Sequence, residues 1–96
     1  MAQPKAVGAM QYVFKKRFDK KYERLPEKIR TALDERLRLF ADDPFNSLLN
    51  NHSLSGPYAN HRSINVTGDY RAVFRHITDN LVEFVIVDTH TNLYKK

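Results

Sequence analysis

Four histidines in a chain without cysteine are the side chains best suited to proton transfer. His52, His61 and His90 lie in turn-rich segments or at the end of an apolar run, where functional groups tend to be displayed from a rigid scaffold. His76 sits inside a strand-like run and reads as structural or surface. An imidazole has a reference pKa of about 6.5, so one histidine can take a proton while another gives one near neutral pH. Arg62 and Arg71 add permanently charged forks that match phosphate oxygens, and Asp69 adds a carboxylate two residues ahead of Arg71. Such groups suit phosphodiester chemistry. If the polymer is RNA, its 2′-hydroxyl is an internal nucleophile, and neither a protein nucleophile nor a metal is needed. A metal site is the weaker reading. No two histidines have the i,i+4 helical spacing, and His52, His61, Asp69, Asp88 and His90 would have to converge by folding alone. No metal and no cofactor are therefore expected. Each residue also has a plain structural use: His52 in a polar loop, Asp69 in the turn after Gly68, the arginines in ion pairs, and Tyr70 and Tyr94 as half-buried sheet aromatics.

Charge points toward a polyanion. Sixteen Lys and Arg against eleven Asp and Glu leave +5, with a pI near 9.6. Between Lys15 and Arg30 stand eight cations against Asp19, Glu23 and Glu27, which is the whole excess. A block of this kind attracts polyanions without reading their sequence, although a solvated helix face would look the same. The absence of cysteine excludes a disulfide framework and a thiol nucleophile, and fits a reducing cytoplasm. Residues 1–10 carry one Lys and no long apolar run, so no signal peptide is expected. No segment approaches the roughly 20 apolar residues of a membrane span, so no membrane association is expected either.

The elements that must position these groups follow from periodicity. Residues 1–9 lack it, hold Pro4 and Gly8, and read as a flexible arm; 10–96 read as one domain. Alternation over Gln11 to Phe14 predicts a strand. Phe14, Phe18, Tyr22 and Leu25 then form an apolar helical stripe, and Ile29, Leu33, Leu37 and Phe40 form a second one after Pro26. Asp34 and Arg38 are spaced as an i,i+4 pair, and Asp42-Asp43-Pro44 stops the helix. Residues 45–60 read as a loop with one helical turn near Leu48 and Leu49. Three strands follow, around Ile64 and Val66, over Tyr70 to Ile77, and over Leu81 to Val87, separated by Thr67-Gly68 and Asp79-Asn80. The nearly unbroken apolar run of the last predicts a strand covered on both faces. The expected fold is α+β: an N-terminal strand and a two-helix hairpin packed on a four-stranded antiparallel sheet.

Three segments carry a resemblance. His52-Ser53-Leu54-Ser55-Gly56, the run Arg62-Ser63-Ile64-Asn65-Val66-Thr67-Gly68-Asp69-Tyr70-Arg71, and Thr89-His90-Thr91-Asn92-Leu93-Tyr94 are similar in order and spacing to the RelE/ParE toxins of type II toxin–antitoxin systems, nearest to their YafQ branch. The likeness spans about residues 10–95. It implies a metal-free, ribosome-dependent mRNA endonuclease (an mRNA interferase) of the cytoplasm, partnered by ribosomal RNA and mRNA and neutralised by a cognate antitoxin. On the family pattern His52, Asp69, His90 and Tyr94 resemble the catalytic set, with His90 as general acid and His52 or Asp69 as base. Arg62, Asn65, Tyr70 and Arg71 resemble the substrate-binding set, Tyr70 standing where the branch often has Trp. Asn65 departs from it: relatives often have a histidine there, and an amide cannot shuttle a proton at pH 7. Two other readings stay open, a non-nucleolytic ParE-like inhibitor of DNA gyrase and a degenerate member that only binds its antitoxin on an apolar helix face.

Overall fold

The computed structural model describes residues 9–95; the remainder of the predicted arm, residues 1–8, and Lys96 lie outside the described residues. Alternation at the start produces β1, Gln11–Phe14, and the change of period after it produces α1, Lys16–Arg24, and α2, Glu27–Asp42. Phe18 and Leu25, then Leu33, Leu37 and Phe40, are the buried members of the two stripes. Pro26 caps α2, one position earlier than the first helical turn. The predicted Asp34–Arg38 pair does not form. Asp34 instead accepts the Tyr22 hydroxyl at 2.8 Å, a bond that joins the two helices and, with burial and the Asp34 charge, raises the Tyr22 pKa against the opposing charge of Arg30.

The strands β2, His52–Ser53, β3, Arg62–Asn65, β4, Tyr70–Thr78, and β5, Leu81–Thr89, complete the sheet, and a short helix α3, His90–Leu93, ends the described chain. The sheet order is β1-β5-β4-β3-β2. The α+β class stands, but the four-stranded antiparallel sheet is corrected in two ways. The sheet has five strands, because β2 pairs His52 with Ser63 and Ser53 with Arg62, a two-residue ladder too short to leave a periodic signal. It is also mixed, since β1 runs parallel to β5 from Gln11↔Leu81 to Phe14↔Phe84. The parallel pairing is open to β1 because a long helical connection separates the two strands, whereas a tight turn would force them antiparallel.

Both faces of β5 are covered, as its apolar run requires. One core lies between sheet and helices and centres on Phe84, whose ring is 5.2 Å from Phe74, 5.4 Å from Phe40, 5.8 Å from Phe18 and 5.9 Å from Tyr12. Burying one such side chain contributes roughly 1.5–3 kcal/mol. A smaller core on the opposite face joins Val73, Val85, Ile86 and Leu93 to Leu54, Tyr58 and Tyr94. A β-bulge lets one strand serve both. Val73 pairs with Ile86 but Phe74 pairs with Phe84, so Val85 has no partner, and Val85 and Ile86 both join the smaller core while Phe84 and Val87 join the larger. Among the described residues no helix is long and apolar enough to cross a membrane.

Candidate active site

Alternation from the smaller core defines the face that carries chemistry. Val73 and Ile86 belong to that core, so Arg71 and Asp88, two residues away on each strand, point the same way, and Asn65 faces them from β3 through the registers Asn65↔Arg71 and Arg71↔Asp88. One row further along, His52 pairs with Ser63 and Ser63 with Val73, which puts His52 on this face too. The turn from β3 to β4 and the start of α3 meet at its end. The His90 N–H donates to the Asp69 carbonyl at 2.8 Å, and the His90 and Tyr94 rings lie 5.0 Å apart, one helical turn from each other.

Asp69, His90, Tyr94, Arg71 and Asn65 thus come together. Asp69 and His90 are exposed and Tyr94 is half-buried. Arg71 arches over the β3–β4 turn and donates to the carbonyls of Thr67, Gly68 and Tyr70 at 3.0–3.1 Å, which fixes the turn that carries Asp69. Thr67 Oγ1 accepts the Tyr70 N–H at 3.1 Å and tightens the same turn. The side-chain oxygen of Asn65 is enclosed and accepts no hydrogen bond. His52 stands apart. It lies on the outermost strand, three strand spacings or about 14 Å across the sheet from β5, with its Nδ1 2.7 Å from the Asn50 carbonyl.

Two predicted residues face the other way. Tyr70 alternates with Arg71 and packs against the helix-side core, so the aromatic platform expected there is a half-buried core aromatic. Arg62 pairs with Phe74, a helix-side residue; its Nε donates to Asn51 Oδ1 at 2.8 Å and its guanidinium lies 5.3 Å from the centre of the Phe45 ring. That guanidinium anchors the loop before β2 instead of a substrate phosphate. The single-residue alternation of a strand decides both cases, because each neighbours a residue, Arg71 or Ser63, on the face that carries the site.

Asp88 fastens the site to the basic helix. Its carboxylate accepts the Thr89 N–H at 2.7 Å and the Asn92 amide at 3.0 Å, and lies 3.1 Å from Lys21 Nζ. Burial pushes this carboxyl up, but the bonds from Asn92, Thr89 and Lys21 and the Lys21 charge outweigh burial and hold it below its ordinary value. Arg17, Lys20, Lys21 and Arg24, at helical spacings of three, one and three, line a cavity of about 290 Å³ with Ile86 and Asp88. Among the described residues no three His, Asp or Glu side chains are placed to hold a metal ion. Sequence reasoning passed over Tyr58. Its ring is 6.1 Å from Tyr94 and 6.1 Å from His61, and the only signal was an aromatic in a Gly-Pro loop, where Gly56 adopts φ +66°.

Among the described residues, five strands in this order, a helical hairpin on one face and a short C-terminal helix make up a fold that also occurs in solved toxin structures. Solved structures with this fold include YafQ from E. coli strain BL21(DE3), 18% identical over 88% of this chain and 98% of its own, with a TM-score of 0.72. The YoeB/ParE toxin from Agrobacterium tumefaciens is 22% identical over 84% and 99%, at a TM-score of 0.69. The toxin–antitoxin complex RelBE2 from Mycobacterium tuberculosis contains a chain 25% identical over 85% and 99%, at 0.61. No protein-family model and no curated protein matches the chain.

Proposed function

We propose that this chain is the toxin of a type II toxin–antitoxin system and acts as a ribosome-dependent endoribonuclease on translated mRNA. The observation that carries the reading is the meeting of Asp69, His90 and Tyr94 at one end of a sheet face bordered by the cations of α1. The RNA 2′-hydroxyl attacks the adjacent phosphorus. Asp69, next to His90, is better placed than His52 to take the hydroxyl proton, and His90 gives a proton to the departing 5′-oxygen. Arg71, though committed to the turn carbonyls, and Lys21 place positive charge near the pentacoordinate phosphate, and the Tyr94 ring offers a stacking surface to a base. Eight cations between Lys15 and Arg30 would hold ribosomal and messenger phosphates, so binding should weaken steeply with salt.

The partner would be a cognate antitoxin, as in the solved DinJ–YafQ and RelBE2 complexes of proteins with this fold. A groove of about 300 Å³ between β1 and the helices, lined by Tyr12, Phe14, Phe18, Tyr22 and Leu37 together with the charged Asp19, Asp34 and Arg38, suits an amphipathic segment of such a partner. The test is induced expression with mapping of message ends. Breaks within translated codons, lost in His90→Ala, support the reading; intact message with damaged chromosomal DNA would replace it with gyrase inhibition.

A further inference from the structure

A second cavity, of about 520 Å³, opens on the same sheet face on the far side of Arg17 from Asp88, lined by Lys15, Arg17, Tyr58, His61, Arg75 and Val85. Its floor is the bulge residue Val85, which reaches this face only because of the extra residue in β5. Its charge is unbalanced. Arg75 is matched by Glu83, at 3.0 Å from its Nε and 2.9 Å from its terminal nitrogen, whereas Lys15 and Arg17 have no carboxylate partner among the described residues. Its volume falls in the roughly 300–1,000 Å³ range of small-molecule sites.

Two tracks lead from this cavity to His90. Arg17 lines both this cavity and the neighbouring one of Lys20, Lys21 and Arg24, so cations run without a gap along α1 toward Asp88. In parallel, rings run from His61 to Tyr58 at 6.1 Å, to Tyr94 at 6.1 Å and to His90 at 5.0 Å. A row of cations beside a row of rings matches the two sides of a single-stranded polynucleotide, phosphates along one edge and unpaired bases along the other. An acidic peptide would use the cations and leave the rings idle, and a duplex would hide its bases.

We propose that the Tyr58 cavity is a nucleotide subsite, with Lys15 and Arg17 on the phosphate and Tyr58 stacked on the base that follows the one at Tyr94. This rests on the nuclease reading for its purpose but not for its test. The probe is a tetranucleotide of 2′-O-methyl RNA, which lacks the attacking hydroxyl, titrated into the isotope-labelled full chain and followed by amide NMR shifts. Shifts should appear at Arg17, Tyr58, His61 and Val85 as well as at Asp69 and His90. Tyr58→Leu should weaken binding about 5-fold or more, the effect of one lost stacking contact. Arg17→Ala, at an exposed position where the fold has little at stake, should lower the slope of log affinity against log salt by about 0.7. Shifts confined to the Asp69–His90 end, an unchanged salt slope in Arg17→Ala, or equal affinity of the cavity for inorganic phosphate would each overturn the subsite. A chain that cuts message yet shows no shift at Tyr58 loses the subsite and keeps the nuclease; one that cuts nothing yet binds the probe in the cavity does the reverse.

Discussion

Removing the Asp88 carboxylate should loosen the site while altering none of the proposed reacting groups themselves. Asp88→Ala deletes the acceptor of the Thr89 N–H, of the Asn92 amide and of the Lys21 ammonium, so α3 loses its Asn92 tie to β5 and β5 loses its ion pair to α1. A hydrogen bond to a charged group is worth about 1.5–3 kcal/mol when well enclosed, and an exposed ion pair about 0–1 kcal/mol. Only the Thr89 bond is partly buried, while Asn92 is exposed, so the expected loss is about 2–3 kcal/mol in urea unfolding. Lys21→Ala in the same background should show a coupling of about 0.2–1 kcal/mol. Because His90 begins α3 and Tyr94 follows it, a shift of that helix by about 1 Å should lower message cleavage about 100-fold with His90 and Asp69 intact. Amide hydrogen exchange should quicken in residues 89–94 before it does in β4. A stability loss under about 0.5 kcal/mol together with wild-type cleavage would refute the argument, since neither the anchoring nor its consequence would then exist.

Other outcomes follow from the same geometry. The Asp88 carboxyl titrates lower in the native chain than in the unfolded one, so its contribution is present above the unfolded value of about 3.9 and lost as pH falls through the native one. The stability gap between wild type and Asp88→Asn, measured by urea at stepped pH, should therefore narrow below about pH 4. Tyr70→Ala should cost stability through the helix-side core, whereas Tyr94→Phe should leave both folding and stacking near wild type; kinetics on a model message would separate the two. Phe84→Ala, at the centre of the aromatic core, should destabilise by about 3–5 kcal/mol and lower the thermal midpoint sharply. His90→Ala should abolish growth arrest with a change in unfolding free energy of about 0.5 kcal/mol or less, because its side chain is exposed.

Helical stripes and apolar strands were legible because each repeats its signal over several residues. Phe18, Leu33, Leu37 and Phe40 are buried where the spacing placed them, and β4 and β5 turn at Asp79-Asn80 as their chemistry suggested. The two-residue strand His52–Ser53 has no period to read, and strand direction is set by connection length and by which edge is free, which explains the parallel β1. Within the site, the type of residue was readable but its face was not. Tyr70 and Arg71, or Arg62 and Ser63, differ by one position and therefore by the whole thickness of the sheet. Tyr58 escaped notice because a loop aromatic carries no spacing, and the Lys21–Asp88 bridge joins residues far apart in the chain.

The unpaired Val85 gives β5 a tolerance of length that composition would never reveal. Deleting that one residue would restore plain alternation, with Phe84 still opposite Phe74 and Ile86 still opposite Val73, so Val87 would stay beneath the helices, Asp88 on the outer face and the start of α3 beside Asp69; only the floor of the Tyr58 cavity would go. Among homologues aligned by sequence alone, a one-residue gap at this point should therefore leave the reactive side chains in place, and a deletion scan along the strand should find its mildest penalty here.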